Sequence, residues 1–218
     1  MLDAIKWYGH ASFGIDGPPR ILIDPFSILY EGETPDIILV THEHYDHCSP
    51  ADVNKLAGPN TRIIASRTAA AQLYRDDVVI LRPWQVINFG RTSIKAVPAY
   101  TYTDDHPAHR EDLGFVISIN HTDIYYAGDT SFIPELRNMR CDIAILPVSS
   151  REGLMASQGA VEFVESVHPR FVIPSHIGSK PESARRLDVQ AFERGLHGLV
   201  DVVQLPLAHQ AGSRSVFA

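Results

Sequence analysis

Short apolar runs separated by turn-forming residues are the feature that most constrains the fold of this chain. Seven such runs, each three or four residues long, lie at residues 5–8, 12–15, 21–23, 37–40, 62–65, 78–81 and 94–97. Runs of this length bounded by Gly, Pro, Asn or Asp predict β-strands. Turn-forming residues 16–19 separate the runs 12–15 and 21–23, and residues 120–123 separate two further apolar runs, at 115–119 and 124–127, so we expect a hairpin at each.

Helical signals alternate with the later strands. Helices are expected at residues 69–74, 157–167 and 183–196, and further strands at residues 171–173 and 202–205. Ser66 or Thr68 can cap the first helix, Ser157 begins the second, and Pro169 lies just beyond its end. Strands interleaved with helices predict a layered sandwich of α/β (α+β) class. Because no repeat or low-complexity linker interrupts the pattern, we expect residues 1–218 to form a single domain.

The charge balance limits the class of partner. The chain has 19 Lys plus Arg against 26 Asp plus Glu, a net charge of −7. A protein that neutralises nucleic-acid phosphates needs the opposite sign. We therefore expect a small-molecule substrate and no nucleic acid. The two cysteines are too few for a disulfide scaffold and fit a reducing compartment.

No segment predicts insertion into a membrane or export across one. The longest apolar stretches, at residues 37–40 and 143–146, are far below the roughly 20 residues of a transmembrane helix. The start of the chain lacks the basic and long apolar regions of a secretory leader. We expect a cytoplasmic protein, and the sequence is compatible with a homo-oligomer.

The most specific motif is His-Glu-His-Tyr-Asp-His at residues 42–47, directly after the apolar run 37–40. Alternation along an extended segment places His42 and His44 on one side. The following turn can bring Asp46 and His47 to a point beside them. Imidazoles together with a carboxylate suit Zn²⁺, and the carboxylate leaves Mn²⁺ or Fe²⁺ as alternatives.

This HxHxDH pattern after a buried strand resembles the metal-binding signature of the metallo-β-lactamase superfamily. Residues 125–130 match its Gly-Asp-Thr element, which places Asp129 in the site, and residues 172–176 match the segment that carries its last histidine, His176. The resemblance implies the four-layer αββα sandwich of that superfamily.

Residues 7–13, 23–25 and 146–149 further resemble a branch of small hydrolases that includes the bacterial ascorbate-6-phosphate lactonase. The same branch includes the phospholipase that cleaves N-acyl phosphatidylethanolamine. Two departures bear on the substrate. Residues 149–151 stand where many relatives have a glycine-containing loop, and Gln-Gly at residues 158–159 replaces a Glu-Ala pair.

The third histidine of the first metal site has two candidates, His106 and His109, in the loop after the run 94–97. In the branch, this segment reads His-Pro with a Gly-aromatic strand start eight residues on. His106-Pro107 and Gly114-Phe115 fit that offset, which favours His106 and leaves His109 as the alternative.

The resemblance implies a dinuclear centre. Its metal ligands are His42, His44, Asp46, His47, His106, Asp129 and His176. His42, His44 and His106 form the first site. Asp46, His47 and His176 form the second, and Asp129 bridges the two. The expected cofactors are two divalent ions, with Zn²⁺ first and Mn²⁺ or Fe²⁺ as alternatives.

The expected reaction is hydrolysis by a hydroxide held between the two ions, with Asp46 or a metal-bound water handling the proton and Asp129 as the second catalytic carboxylate. The bond is an ester, lactone or phosphodiester of a small anionic substrate, so the enzyme would be lactonase- or phosphodiesterase-like. Lys180 and Arg151 are expected to hold the anion and His10 to lie at the pocket edge. Asp24 is expected to orient the metal-binding imidazoles.

Three alternatives remain open. A flavodiiron-like redox protein shares the fold, although its signature has Glu in place of His44 and it carries a flavin domain. A nucleic-acid processing member of the superfamily would need a basic clamp that a net charge of −7 does not supply. A metal-binding protein without catalysis is the third alternative, and an activity assay distinguishes it.

Overall fold

The computed structural model describes residues 1–30, 32–148, 154–155, 157–177 and 182–208, with the backbone alone for residues 182–188. The strands in this part of the chain form two mixed sheets. The first sheet contains, in sequence order, β1 (Ile5–Gly9), β2 (Ser12–Ile15), β3 (Ile21–Ile23), β4 (Ile37–Val40), β5 (Arg62–Ala65) and β6 (Val78–Ile80). The second contains, again in sequence order, β7 (Val86–Phe89), β8 (Thr92–Pro98), β9 (Leu113–Ile119), β10 (Thr122–Tyr126), β11 (Ile143–Pro147), β12 (Phe171–Ser175) and β13 (Asp201–Val202).

Strand direction divides each sheet into an antiparallel and a parallel part. Strands β1 to β3 are antiparallel neighbours, and β3 to β6 are parallel. In the second sheet, β7 to β10 are antiparallel and β10 to β13 are parallel. The loops that carry the candidate ligands after β4, β10 and β12 therefore all leave the carboxyl ends of parallel strands.

Among the described residues, four α-helices lie on the outer faces of the sheets. They are α1 (Pro50–Leu56), α2 (Arg67–Leu73), α3 (Ser157–Val167) and α4 (Glu182–Leu196). Apolar side chains of α1 and α2 pack on the first sheet, and those of α3 and α4 pack on the second. No helix among the described residues is both long and apolar enough to span a membrane.

Side chains that alternate along a strand point to opposite faces of the sheet, so each sheet packs against the other sheet on one face and against helices on the other. In β4, Ile37 and Leu39 belong to the core between the two sheets, whereas Ile38 and Val40 pack with α1 and α2. All four residues are buried, so this strand reads as a continuous apolar run. The order helix, sheet, sheet, helix confirms the predicted αββα sandwich.

Two elements were not expected and a third is displaced, while several others differ from the expected bounds by one or two residues. Helix α1 and strand β7 were not expected from the sequence. Strand β13 is confined to Asp201–Val202 and does not extend over residues 202–205. Its ladder with β12 ends at Val202, and Val203 and Leu205 pack against the core between the sheets instead.

Candidate metal centre

The segment after β4 folds into a tight turn that gathers its histidines. The amide groups of His47 and Cys48 both donate to the carbonyl oxygen of His44, at 3.0 and 2.8 Å. The His42 ring centroid lies 4.8 Å from that of His44 and 4.2 Å from that of His47. Ser49 then caps α1 by accepting a hydrogen bond from the Asp52 amide. The turn is therefore held at one end by a strand and at the other by a helix.

His42, His44 and His106 form the first ligand group. Each offers a ring nitrogen, and these nitrogens lie within 4.8 Å of one another. His106 is buried in the loop after β8, and its ring centroid lies 4.5 Å from that of His44. His109 is exposed on the 3-10 helix Ala108–Arg110 and does not join this group. The structure thus brings His106, and not His109, to the pair from the motif.

Asp46, His47 and His176 form the second ligand group, and His10 joins them. His176 follows β12 directly, and its amide donates to the carbonyl oxygen of His10 at 3.1 Å. The Nε2 atom of His10 lies 3.0 Å from Asp46 Oδ2. Both His10 and His176 adopt positive φ angles, +47° and +60°, and Ile177 pairs with His10 in a β-bridge. His10 therefore lies inside this group rather than only at its edge.

Asp129 lies between the two groups. Its Oδ1 is 3.4 Å from His47 Nε2, and its Oδ2 is 3.3 Å from His176 Nε2 and 3.7 Å from His106 Nε2. The preceding Gly128 has a φ of +64°, and a Cβ there would meet the Leu113 carbonyl oxygen at 2.8 Å. Glycine at this position lets the chain turn sharply after β10, and that turn points Asp129 at both groups.

Several buried atoms in this centre have no hydrogen-bond partner in the described part of the chain. They include His42 Nε2, His47 Nε2, His176 Nε2 and Asp129 Oδ1. A buried polar atom without a partner costs about 1–3 kcal/mol. Three imidazole nitrogens and a carboxylate oxygen are donors that a divalent metal accepts. The residues present therefore fit a metal centre.

Asp24 orients two of these imidazoles from behind. It follows β3, is fully buried, and its Oδ2 lies 2.8 Å from Nδ1 of His47 and 2.7 Å from the hydroxyl of Thr41. Since the Thr41 hydroxyl donates to Asp24, it accepts from Nδ1 of His42 at 2.9 Å. Both histidines then carry a proton on Nδ1, which leaves Nε2 for the metal.

Three residues that sequence reasoning did not single out support the ligands. Thr41 is one. Tyr126, at the end of β10, donates its hydroxyl to Asp24 Oδ2 at 2.9 Å. Asp112 has Oδ2 at 3.4 Å from His106 Nδ1, and its Oδ1 accepts a hydrogen bond from Thr68 at 2.9 Å. A carboxylate six residues after a candidate histidine was the available signal for Asp112.

The charges of the centre are coupled. Burial lowers the pKa of His47, but the Asp129 and Asp24 carboxylates outweigh burial and raise it to about 9. Burial lowers the pKa of His42 and of His44, and neighbouring histidines lower it further. Burial raises the pKa of Asp129, but His47 and His176 outweigh it and hold that pKa well below its usual range. Asp129 is thus ionised and His42 neutral at neutral pH, as metal binding requires.

The two expected anion anchors, Arg151 and Lys180, lie outside the described residues. Their roles stay predictions.

Comparison with known proteins agrees with this geometry. A family model of the β-lactamase superfamily domain matches residues 4–176. The UPF0173 metal-dependent hydrolase of Thermoplasma volcanium is 31% identical over 188 residues, which cover 79% of this chain and 82% of that protein.

Two solved structures share the fold. A proposed metal-dependent hydrolase of Parabacteroides distasonis superposes with a TM-score of 0.81 at 27% identity, over 92% of this chain and 91% of that one. A diiron β-hydroxylase of Streptomyces venezuelae superposes with a TM-score of 0.76 at 16% identity, over 94% of this chain and 52% of that one. The second likeness shows the fold alone. On the family match and the curated relative, the chain belongs to the metallo-β-lactamase superfamily and, within it, to the UPF0173 family of metal-dependent hydrolases.

Proposed function

We propose that this chain binds two divalent metal ions and hydrolyses an ester, lactone or phosphodiester bond of a small anionic substrate. The observation that carries the proposal is the position of Asp129, whose two carboxylate oxygens face unpartnered imidazole nitrogens of His47 and His176. A carboxylate so placed can bind to two ions at once. Zn²⁺ is the expected ion, with Mn²⁺ or Fe²⁺ as alternatives.

The two ligand groups support the proposed metal-binding residues. His42, His44 and His106 would hold one ion, and Asp46, His47 and His176 the other. When bound, the ions would polarise the scissile bond and supply hydroxide as the nucleophile near neutral pH. The protein's own part is to present these groups without rearrangement, which the buried hydrogen bonds of Asp24 accomplish.

Asp46 is the proposed proton acceptor, and His10 positions it. Asp46 Oδ2 lies 3.0 Å from His10 Nε2, so the N–H of His10 can donate a hydrogen bond to the carboxylate. Burial raises the pKa of Asp46, but hydrogen bonding from His10 and the charge of His47 outweigh it and hold that pKa far below its usual range. Asp46 therefore enters the reaction as a carboxylate.

The proposal of an anionic substrate rests on Arg151 and Lys180. In the sequence, Arg151 follows β11, and Lys180 follows β12 and His176. A guanidinium and an ammonium there would hold a phosphate or carboxylate next to the cleaved bond. The resemblance to ascorbate-6-phosphate lactonase remains a prediction and agrees with such a substrate. We propose a small-molecule partner, no nucleic-acid partner and a cytoplasmic location.

A hydrolysis screen tests the proposal. Protein loaded with Zn²⁺, Mn²⁺ or Fe²⁺ would be assayed on thioester, lactone, lactam and phosphodiester substrates. We expect turnover of an ester, lactone or phosphodiester, loss of turnover in His42→Ala, and retention in His109→Ala, which removes an exposed histidine. Lack of hydrolysis of every bond with every metal would contradict the proposal.

Matched anionic and neutral esters test the anchors. Arg151→Ala and Lys180→Ala should each lower kcat/KM for the anionic ester by about tenfold and leave the neutral ester nearly unchanged. Lys55→Ala, at an exposed position on α1, is the control for loss of a positive charge. Equal small effects on both esters would show that neither residue selects the substrate.

A further inference from the structure

A cavity of about 420 Å³ opens beside the second ligand group. Asp46 and His10 form part of its wall, so the cavity is continuous with the candidate metal centre. Its volume lies within the range of small-molecule sites in proteins. The other large side chains that line it are Trp7, Tyr8, Phe26, Tyr45, Ile177 and Leu207.

Pairing between distant parts of the chain holds these walls in place. Trp7 in β1 forms a β-bridge with Leu207, and its indole Nε1 donates to the carbonyl oxygen of His10 at 3.1 Å. Ile177 is bridged to His10. The opposite wall is an edge-to-face pair of Phe26 and Tyr45, with ring centroids 5.6 Å apart. The cavity is therefore formed before any ligand binds.

The lining favours an uncharged ligand group. Among the described residues that line the cavity there is no lysine or arginine, and most of the large side chains are apolar or aromatic. An apolar group would gain free energy from the surface that it buries there, and aromatic walls favour a ring through edge contacts.

We propose that this cavity binds an uncharged aromatic or short acyl group of the substrate, next to the bond that is cleaved. The inference rests on the proposed function only for the position of that bond. The substrate would then have two unlike parts, an apolar group in the cavity and an anionic group held elsewhere on the protein.

Intrinsic fluorescence tests occupancy of the cavity directly. The chain has two tryptophans, and Trp84, which is 49% exposed, does not line the cavity. In zinc-loaded Trp84→Phe protein, Trp7 is the single reporter. Titration with benzyl alcohol, which is uncharged and not hydrolysed, should give a saturable change in its emission, whereas glycerol should give none.

Matched variants make the test specific. Phe26→Ala removes an aromatic wall and should weaken benzyl alcohol binding by about tenfold, which corresponds to about 1.4 kcal/mol. Phe89→Ala is the control, because Phe89 is a half-buried residue in β7 that does not line the cavity. Leu207→Ala is a second cavity variant that leaves Phe26 in place.

The outcomes separate this inference from the proposed function. A response that does not saturate, or that is the same in Phe26→Ala, Leu207→Ala and the control, would overturn the inference whether or not the protein hydrolyses anything. Binding of benzyl alcohol without turnover of any substrate would leave the cavity assignment intact and contradict the hydrolase. Where turnover is found, the kcat/KM ratio of benzyl to methyl esters should fall about tenfold in Phe26→Ala.

Discussion

Asp24→Asn is the substitution that most directly perturbs how the metal-binding histidines are held. The Asp24 side chain is fully buried, and its carboxylate accepts four hydrogen bonds from Thr41, His47 and Tyr126. Three of them converge on Oδ2, so an amide nitrogen placed there would face three donors. In the other orientation, the amide nitrogen would face the Thr41 amide. At least one buried donor therefore loses its acceptor in either case.

The size of the effect follows from these contacts. A hydrogen bond to a charged partner contributes about 1.5–3 kcal/mol, against about 1 kcal/mol for a neutral pair. In the better orientation of the amide, one bond is lost and three are weakened, a loss of about 5 kcal/mol. Removing a buried charge relieves several kcal/mol of desolvation and offsets part of that loss. We expect the free energy of unfolding of the metal-free protein to fall by about 2 kcal/mol.

Zinc affinity should fall by about 10–100-fold in the same variant, as is typical when a carboxylate behind a ligating imidazole is removed. An amide oxygen is a weaker acceptor, so His47 and, through Thr41, His42 are no longer held with Nε2 free. A chromogenic chelator in competition for Zn²⁺ measures the affinity, and urea unfolding measures the stability.

Asp36→Asn is the matched control. Asp36 is exposed, accepts a hydrogen bond from the Arg20 amide at 2.7 Å, and belongs to neither ligand group. Both affinity and stability should stay near the wild-type values in this variant. Folded Asp24→Asn protein that binds Zn²⁺ within about twofold of wild type would refute the role given to Asp24.

Three further outcomes follow from the same geometry. His106→Ala should lower zinc retention and turnover far more than His109→Ala, because only His106 joins a ligand group; a larger loss in His109→Ala, by elemental analysis, would reverse the assignment. Zinc affinity should rise between about pH 6.5 and 9, because the ion must displace the proton that His47 holds below its pKa, which the neighbouring carboxylates raise to about 9. The free energy of unfolding of the metal-free protein should instead fall over that range, because it loses the contribution of protonated His47. A zinc affinity that does not change with pH, measured by chelator competition, would contradict the expected rise. Tyr126→Phe removes one bond to Asp24 and should lower the urea unfolding free energy by about 1–2 kcal/mol, less than Asp24→Asn does.

Much of the scaffold can be predicted from the sequence, because its apolar residues recur at helix or strand spacing and are also the buried residues. Strands β2 and β3 and helix α3 have the expected bounds. In α3 the apolar residues recur at helical spacing, and Phe163 packs on the second sheet beside Tyr125, with ring centroids 5.5 Å apart. Local sequence is sufficient wherever an element buries one regular face.

Elements that bury few apolar residues were not predicted. Helix α1 buries only Val53 and Leu56, so its apolar periodicity is short, although Ser49 and Pro50 were usable signals of a helix start. Strand β7 is an edge strand with exposed Val86, and half of its pattern faces solvent. Neither segment has enough buried apolar residues to stand out in a single sequence.

The candidate site also has a part that the sequence predicts and a part that it does not. The motif at residues 42–47 can be recognised from the sequence because its candidate ligands are close together in the chain. By contrast, Tyr126 contacts Asp24 across 102 residues and His10 contacts Asp46 across 36. No local pattern encodes such contacts, because they depend on how strands that are distant in sequence are arranged within and between the two sheets.

Metal stoichiometry tests the central claim most directly. Wild-type protein incubated with Zn²⁺ and freed of excess metal by gel filtration should hold two ions per chain by elemental analysis, and His109→Ala should hold the same number. Asp129→Ala should hold one or none, because Asp129 is the ligand that faces both groups. Wild-type protein that stays metal-free, or an Asp129→Ala variant that retains both ions, would contradict the account.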